Sequence, residues 1–248
     1  VGGADGEGAV RHETSYEDRR GLLVEGYRWP IQSQTIDFNL SSGGQLTDVK
    51  TKGKVSVQSP LTTGSAGGEY CVIWCGPDFP TDQRQDDINS ICFDTEPLEN
   101  SISILGSSEL KLAITSDQDC GQVVVRLCDV SPSGSSKRIS YGVLNLAMRN
   151  GLDCPKLVVP GEVMDVSIKL DDTGYEIPVG HRLRLAVSTA YFPLIWPAPK
   201  KSKLTLDLAS SCLTILCHDR SAALVRDLGQ GYVCPVKKTK KIRPEKHD

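Results

Sequence analysis

The chain has 248 residues and a formal net charge of −3, with 39% hydrophobic and 24% charged residues. This balance permits one large β-domain or two small domains with a sizeable core, and it excludes wholesale disorder. The small negative charge argues against a general nucleic-acid binder, and no apolar stretch is long enough to span a membrane. Because the sequence opens with Val1, we expect a processed product, a cloned fragment or a piece of something longer.

Nine cysteines are scattered through apparent strands, as at Cys92, Cys128 and Cys212. An odd number of dispersed thiols favours buried, reduced cysteines over a disulfide framework, which predicts a cytoplasmic protein. The nearest pair, Cys71 and Cys75, has no second pair and no histidine at zinc-finger spacing. Neither a metal nor another cofactor is therefore predicted.

Short alternating runs dominate the chain after an opening segment. Residues 1–20 are rich in glycine and charge, which predicts a linker or an N-terminal extension. Between residues 21 and 217, runs such as TIDFNL at 35–40, MDVSIKL at 164–170 and LTLDL at 204–208 alternate apolar and polar side chains. Alternation of period two places one face of a strand on a core. With turn sequences between the runs, the pattern predicts an all-β, galactose-binding-like jelly-roll sandwich over 21–217.

The last segment, residues 218–248, is predicted to contain a short helix followed by a basic tail. The helix is expected over 219–228, capped by Asp219 or Ser221 and ended by Gly229. From residue 237 to 248 there are six Lys or Arg residues and two acids. Such an end is typical of a solvated tail, with contact to an anionic surface as the alternative.

The residues offer little support for a catalytic centre. A serine nucleophile of the α/β type needs G-x-S-x-G on a turn between a strand and a helix. The nearest sequence is TGSAG at 63–67, where Thr63 replaces the first glycine and no strand leads to Ser65. His181 has no nucleophile or orienting acid near it in the sequence, so it is interpreted as a hydrogen-bonding turn residue. No catalytic residue is predicted.

Two pairs of adjacent acids, Asp86-Asp87 and Asp171-Asp172, are interpreted as solvated turn residues. Neighbouring side chains of an extended chain point apart, so paired-carboxylate catalysis and a calcium site are minor alternatives.

Charged and aromatic side chains in unusual places suggest a covered face. Arg126 and Arg184 lie within apolar runs and are expected on the sheet face opposite the core. Their predicted partners are Asp129, Asp82 or Glu96. The first interpretation is an ion-paired outer face, and the alternative is a face covered by another domain. Large aromatic side chains near proline-rich loops are expected to plug the sandwich end or to form an interface; they are Trp74, Tyr191, Phe192 and Trp196.

Five motifs follow one another in a specific order. They are GLLVE at 21–25 with Trp29-Pro30, DQR at 82–84 with TEPL at 95–98, LCDVSPSG at 127–134, YGVLNL at 141–146 with Arg149, and GHRLRL at 180–185 with Phe192-Pro193. In this order they resemble the C-terminal β-domain of the cocaine esterase/X-Pro dipeptidyl-peptidase (CocE/NonD) group of serine hydrolases. The resemblance extends over residues 22–217.

The resemblance implies that catalysis belongs to a second domain, which this sequence does not contain. In that group the Ser-Asp-His triad belongs to an N-terminal α/β-hydrolase domain, which would be the partner of this domain in the same or a separate chain. The segment after the glycines at 67–68 resembles the part that approaches the substrate pocket, with Cys71, Val72 and Trp74 as wall residues. The residues expected at the domain interface or ligand platform are Arg84, Arg184, Tyr191, Phe192 and Trp196.

The function implied is that of an accessory domain in an ester- or peptide-cleaving hydrolase, where it covers the pocket and stabilises the enzyme. The alternative is an independent carbohydrate-binding or oligomerisation module, and homo-oligomers remain open. Neither a nucleic acid nor a membrane is expected as a partner.

Overall fold

Two antiparallel sheets pack across one apolar core. The computed structural model describes residues 20–25, 33–68, 80–218 and 224–230. Within those ranges one sheet has eight strands and the other has four, and both contribute side chains to the core. The all-β sandwich predicted from the alternating runs is confirmed, whereas its jelly-roll connectivity stays a prediction.

The larger sheet is organised around one long strand. Its members are β2 (Ser33–Leu40), β3 (Leu46–Thr47), β4 (Lys54–Val57), β6 (Ile102–Gly106), β7 (Glu109–Ser116), β10 (Met164–Lys169), β11 (Thr173–Ile177) and β13 (Leu204–His218). Strand β13 pairs with β2, β4, β6 and β7. Its register against β7 shifts between Asp207 and Cys212, an irregularity that lets a long strand bend over the core.

The smaller sheet carries the features that matter for function. In spatial order its strands are β5 (Ile91–Asp94), β12 (Arg182–Ser188), β8 (Gln122–Val130) and β9 (Ser136–Asn145). On β8 and β12, Leu127 and Leu185 belong to the core. Because strand side chains alternate between faces, Arg126 and Arg184 lie on the opposite face. Every residue of β8 is buried, so this outer face is covered as well.

Few other elements are present in the described residues. Strands β1 (Arg20–Glu25) and β14 (Leu224–Gln230) pair antiparallel as a separate ribbon. Helical structure consists of α1 (Arg84–Asp87) and a 3-10 turn at Leu146–Met148.

The predicted helix over 219–228 is wrong for residues 224–228, which belong to β14. Over so short a run the apolar positions fit both the helical period of about 3.6 residues and the strand period of two. Pairing with β1 selects the strand. Residues 219–223, the basic tail and most of the opening segment lie outside the described residues.

Candidate functional site

Three irregular segments cover the outer face of the smaller sheet: residues 59–68, 81–90 and 189–196, together called the covering layer. They are bonded to one another. The backbone N–H of Ser59 donates to Thr189 Oγ1 at 2.9 Å, and Ser59 Oγ donates to the Asn89 carbonyl at 2.8 Å. The N–H of Phe192 donates to the Thr63 carbonyl at 2.8 Å. The covering layer is therefore one connected unit.

Arg126 is the centre of the contact between the covering layer and the sheet. It is 0% exposed. Its Nη1 lies 3.0 Å from Asp87 Oδ1, an ion-pair contact rather than a well-directed hydrogen bond. Nη1 also donates to Gln83 Oε1 at 3.0 Å, and Nη2 donates to Ser90 Oγ at 2.8 Å. The guanidinium carbon is 5.3 Å from the centre of the Tyr191 ring.

The arrangement keeps Arg126 charged in the interior. Burial by itself lowers the pKa of Arg126, but charge interactions, among them the one with Asp87, raise it above its ordinary value. A buried cation is tolerated only when a counter-charge and hydrogen-bond acceptors replace its water. The counter-charge of Asp87 and the acceptor oxygens of Gln83 and Ser90 all come from the covering layer.

A second arginine extends the network to the next two strands. Nε and Nη2 of Arg184 on β12 both donate to the carboxylate of Asp94 on β5 at 2.7 Å. Its Nη1 donates to Asp87 Oδ2 at 2.9 Å, so Asp87 bridges two guanidinium groups. The hydrogen bonds that Arg184 donates, to Asp94 first and then to Asp87, raise its pKa against the effect of burial. The ion-paired outer face expected from the sequence is present.

The partners predicted for these arginines are wrong. Asp82 pairs with Arg84 at 2.7 Å, and Asp129 pairs with His181. Glu96 Oε1 accepts a long hydrogen bond from the Gln45 side chain, at 3.4 Å. The true partners, Asp87 and Asp94, are dozens of residues away from the arginines in the chain. Strand pairing places Asp94 opposite Arg184, and α1 brings Asp87 to both arginines.

The acids Asp86 and Asp87 are buried, so their interpretation as solvated turn residues is wrong. They lie on α1, and successive residues of a helix point about 100° apart. One carboxylate can thus face the arginines while the other faces the neighbouring loop. Asp86 Oδ1 accepts from Gly64 N at 2.8 Å, and Asp86 Oδ2 accepts from Ala66 N at 3.1 Å.

Asp86 and Gln83 close the base of a loop. Gln83 Nε2 donates to the carbonyls of Ala66 at 2.6 Å and Thr81 at 2.7 Å. The N–H of Thr81 donates to the same Ala66 carbonyl at 2.8 Å. Ala66 and Thr81, which lie on either side of residues 69–79 in the sequence, are therefore bonded to each other and to Gln83; we call these contacts the loop base. The predicted wall residues lie outside the described residues; they are Cys71, Val72 and Trp74.

Gly64 is required in the loop base for steric reasons. Its φ is +111°, and a Cβ there would lie 2.4 Å from the Phe192 carbonyl oxygen. Ser65 is exposed in this turn and its neighbours are held by Asp86. This segment is a loop held by hydrogen bonds to Asp86, and it is not the strand-to-helix turn that a nucleophilic serine needs.

The other candidate interface residues fall into two groups. Arg84, Phe192 and Trp196 are exposed, and Trp196 is 81% exposed with its ring edge-to-face on Phe192 at 6.0 Å. Tyr191 is 0% exposed, and Arg184 is held by two carboxylates. Tyr191 therefore lies on the inner side of the covering layer and Arg184 lies on the sheet beneath it, so neither forms the exposed surface.

A histidine–aspartate pair that the sequence did not reveal joins the two sheets. His181 Nδ1 is 2.7 Å from Asp129 Oδ1, and Tyr175 on β11 donates to Asp129 Oδ2 at 2.8 Å. Asp129 is on the same side of β8 as the core residue Leu127, whereas Ser65 is in the covering layer on the other side. The pair therefore has a structural role between the sheets and does not serve Ser65.

For the described part of the chain, two structural criteria matter here, a cluster of metal ligands and a membrane-spanning helix. No group of three or more His, Cys, Asp or Glu residues there is arranged to hold a metal ion. No helix within it is long and apolar enough to cross a membrane.

The family model for the X-Pro dipeptidyl-peptidase C-terminal non-catalytic domain matches residues 10–229. The chain therefore belongs to that family, which confirms the resemblance found in the motifs.

Similar proteins agree with this assignment. The chain is 28% identical over 164 residues to the cocaine esterase of Rhodococcus sp. (strain MB1 Bresler), covering 62% of this chain and 28% of that protein. It is 33% identical over 106 residues to the Xaa-Pro dipeptidyl-peptidase of Streptococcus pneumoniae serotype 19F (strain G54), covering 42% and 14%. The chain thus matches less than a third of the length of either relative.

A solved structure shares the fold. The aminopeptidase from the marine sediment archaeon Thaumarchaeota archaeon superposes with a TM-score of 0.64 at 17% identity, covering 75% of this chain and 37% of that one. At this identity the likeness supports the fold alone.

The buried ion pairs generate a stability prediction. Asp87→Asn removes the charge that bridges Arg126 and Arg184, and we expect it to lower the free energy of unfolding by roughly 3–5 kcal/mol. The matched control is Asp119→Asn, which breaks the exposed pair with Lys200 and is expected to have a much smaller effect, because water screens that pair. Urea unfolding followed by tryptophan fluorescence measures both. Equal effects would show that the buried network is not what holds the covering layer.

The cysteines on the covered face should be unreactive. Burial, followed by the charge of Asp87, raises the pKa of both Cys92 and Cys128 to about 12. At pH 8 both are protonated, and the thiol is a poor nucleophile compared with the thiolate. We expect iodoacetamide to modify exposed Cys154 first and these two only after unfolding. Peptide mass spectrometry over a time course tests the order, and early modification of Cys128 would contradict it.

Proposed function

We propose that this chain is the accessory domain of a serine hydrolase that cleaves esters or X-Pro peptide and amide bonds. In this proposal it packs against an α/β-hydrolase domain, in the same or a separate chain, and stabilises the enzyme. The segment 69–79 forms part of the substrate-pocket wall, with Cys71, Val72 and Trp74 as its pocket residues. The single observation that carries the proposal is the loop base, which is held by buried charges.

The loop base suits a pocket wall because its position is fixed before substrate arrives. The carboxylate of Asp86 and the amide of Gln83 hold the segment at both ends. Asp86 lies beside Asp87 on α1, and Asp87 is bonded to the arginines of the sheet. A binding wall works best when rigid elements support it through packed and hydrogen-bonded side chains. Accurate placement of the loop would explain why the domain bears the desolvation free energy of burying these charged groups.

An exposed aromatic surface adjoins the loop base. Phe192 and Trp196 stack at 6.0 Å, and the backbone of Phe192 is bonded to Thr63. Exposed aromatic pairs beside a rigid polar element are typical of protein interfaces. We infer that these two rings, and Arg84 on α1 of the same covering layer, contact the hydrolase domain. The free thiols of the described cysteines support a reducing compartment such as the cytoplasm.

A second candidate is an independent carbohydrate-binding module. The 81% exposure of Trp196 favours it, because sugars stack on exposed indole rings. Glycan-array binding that Trp196→Ala abolishes would support this alternative, and an array without signal would count against it.

The chain alone should not hydrolyse substrates. We expect no turnover of p-nitrophenyl butyrate or Ala-Pro p-nitroanilide, because the nearest serine motif is a pinned loop. The assay is colorimetric and runs at enzyme concentrations near 10 μM, with a CocE-type esterase as positive control. Turnover that Ser65→Ala abolishes would contradict the accessory role. If the chain shows no turnover, we expect G-x-S-x-G followed by Asp and His to be encoded on the amino-terminal side of this sequence or in a neighbouring gene.

Association with the hydrolase domain should depend on the aromatic surface. With that domain produced as a separate polypeptide, we expect Trp196→Ala to raise the Kd by about tenfold or more, as loss of a central aromatic contact does. The control is Leu152→Ala, another highly exposed apolar residue outside the covering layer, expected to change Kd by less than about twofold. Isothermal titration calorimetry gives both constants. Equal effects of the two variants would place the interface elsewhere.

A further inference from the structure

Arg138 of the smaller sheet has no carboxylate partner in the described part of the chain. Arg138 lies on β9 opposite Cys128 of β8, and its side chain is half-buried. Its Nη1 donates to Tyr191 Oη at 2.8 Å. Its guanidinium carbon is 4.7 Å from the centre of the Tyr141 ring and 5.5 Å from that of Tyr191. Aromatic contacts stabilise a cation but do not neutralise it.

The tyrosine hydroxyl does not supply the missing negative charge. Burial raises the pKa of Tyr191 to about 12, even though Arg138 and Arg126 act in the other direction. The hydroxyl donates its proton to Gln83 Oε1 at 2.7 Å. It is therefore neutral and fixed in direction, so that it accepts one N–H of Arg138 and leaves the positive charge uncompensated.

The neighbouring arginines are different in this respect. Each of the other three that touch the covering layer has a carboxylate partner: Arg84 with Asp82 at 2.7 Å, Arg126 with Asp87 at 3.0 Å, and Arg184 with Asp94 at 2.7 Å. Both oxygens of Asp86 accept from backbone N–H groups instead. The carboxylates of the covering layer are thus committed to other partners.

Arg138 lies beside the loop base. A Cβ placed on Gly67 would be 3.0 Å from Cζ of Tyr191, the carbon that carries the hydroxyl bound to Arg138. The uncompensated guanidinium is therefore next to the point where the segment 69–79 leaves the described chain. That is the face which we propose to meet the hydrolase domain.

The geometry points to an Asp or Glu side chain of the hydrolase domain that pairs with Arg138 when the two domains dock. This inference rests on the proposed function. A carboxylate fits the planar fork of a guanidinium through two parallel hydrogen bonds. A partly desolvated pair of this kind fixes the orientation of docking and makes association depend on salt. Arg138 is then the ionic contact of the interface, and the rings of Phe192 and Trp196 are its apolar contact.

Calorimetric titration of this chain with the separate hydrolase domain tests the pairing at about 50 mM and about 300 mM NaCl. We expect Arg138→Gln to raise the Kd by about tenfold or more at low salt and to lose most of the salt dependence. Arg138→Lys keeps the charge without the fork, so it should keep the salt dependence but bind about threefold weaker or worse. The matched control is Lys137→Gln, which removes the adjacent cation, located over the Tyr175 ring at 5.0 Å. It should change Kd by less than about twofold.

The outcomes separate this inference from the proposed function. If Arg138→Gln binds like the wild type while Trp196→Ala binds much more weakly, the carboxylate partner is wrong and the proposed function stands. If the wild-type chain does not bind the hydrolase domain, both are overturned. Thermal unfolding of each variant shows whether it folds. Should Arg138→Gln not fold, Arg138→Lys decides, and wild-type affinity of that variant would overturn the pairing.

Discussion

The burial of the Arg126 guanidinium is the constraint on which the rest of this domain depends. A cation in the middle of a sheet, without water, costs several kcal/mol unless a counter-charge and acceptors surround it. The neighbours of Arg126 on β8, Val125 and Leu127, face the apolar core, so compensation must come from the other face. Asp87, Gln83 and Ser90 provide it, and all three belong to the covering layer. The sheet and its covering layer therefore depend on each other for stability.

The same network connects the sheet to the surface that we propose for docking. Gln83 accepts from Arg126 and Tyr191 through its carbonyl oxygen and donates to Ala66 and Thr81 through its amide nitrogen. One side chain thereby links the sheet, the aromatic loop and the loop base. The close approach of Gly64 to Phe192 leaves no room for a Cβ, so the loop base and the aromatic surface pack directly against each other. A pocket wall and a docking surface that are fixed to each other can be positioned by a single interface.

The sequence predicted the sandwich because period-two alternation is a local property of each strand. It also predicted the outer-face position of Arg126 and Arg184 for the same reason. It did not predict their partners, since Asp87 and Asp94 are brought to the arginines by strand register and by a four-residue helix too short to show a helical period. The His181–Asp129 pair was missed because 52 residues separate its members. In each case the missing information was tertiary, and in the run 224–228 pairing with β1 overrode an ambiguous local pattern.

Charged groups hold the covering layer where apolar packing would also have stabilised it, and the difference lies in specificity. An apolar cover can slide by a fraction of a side chain at little cost, whereas a bidentate pair such as Arg184–Asp94 is satisfied in one arrangement only. Buried ion pairs contribute little net stability compared with apolar side chains of the same volume, so their value here is in fixing one geometry. A domain that has to present a loop to another domain at a set distance benefits from that property. A domain that served only as a stable fold would not need it.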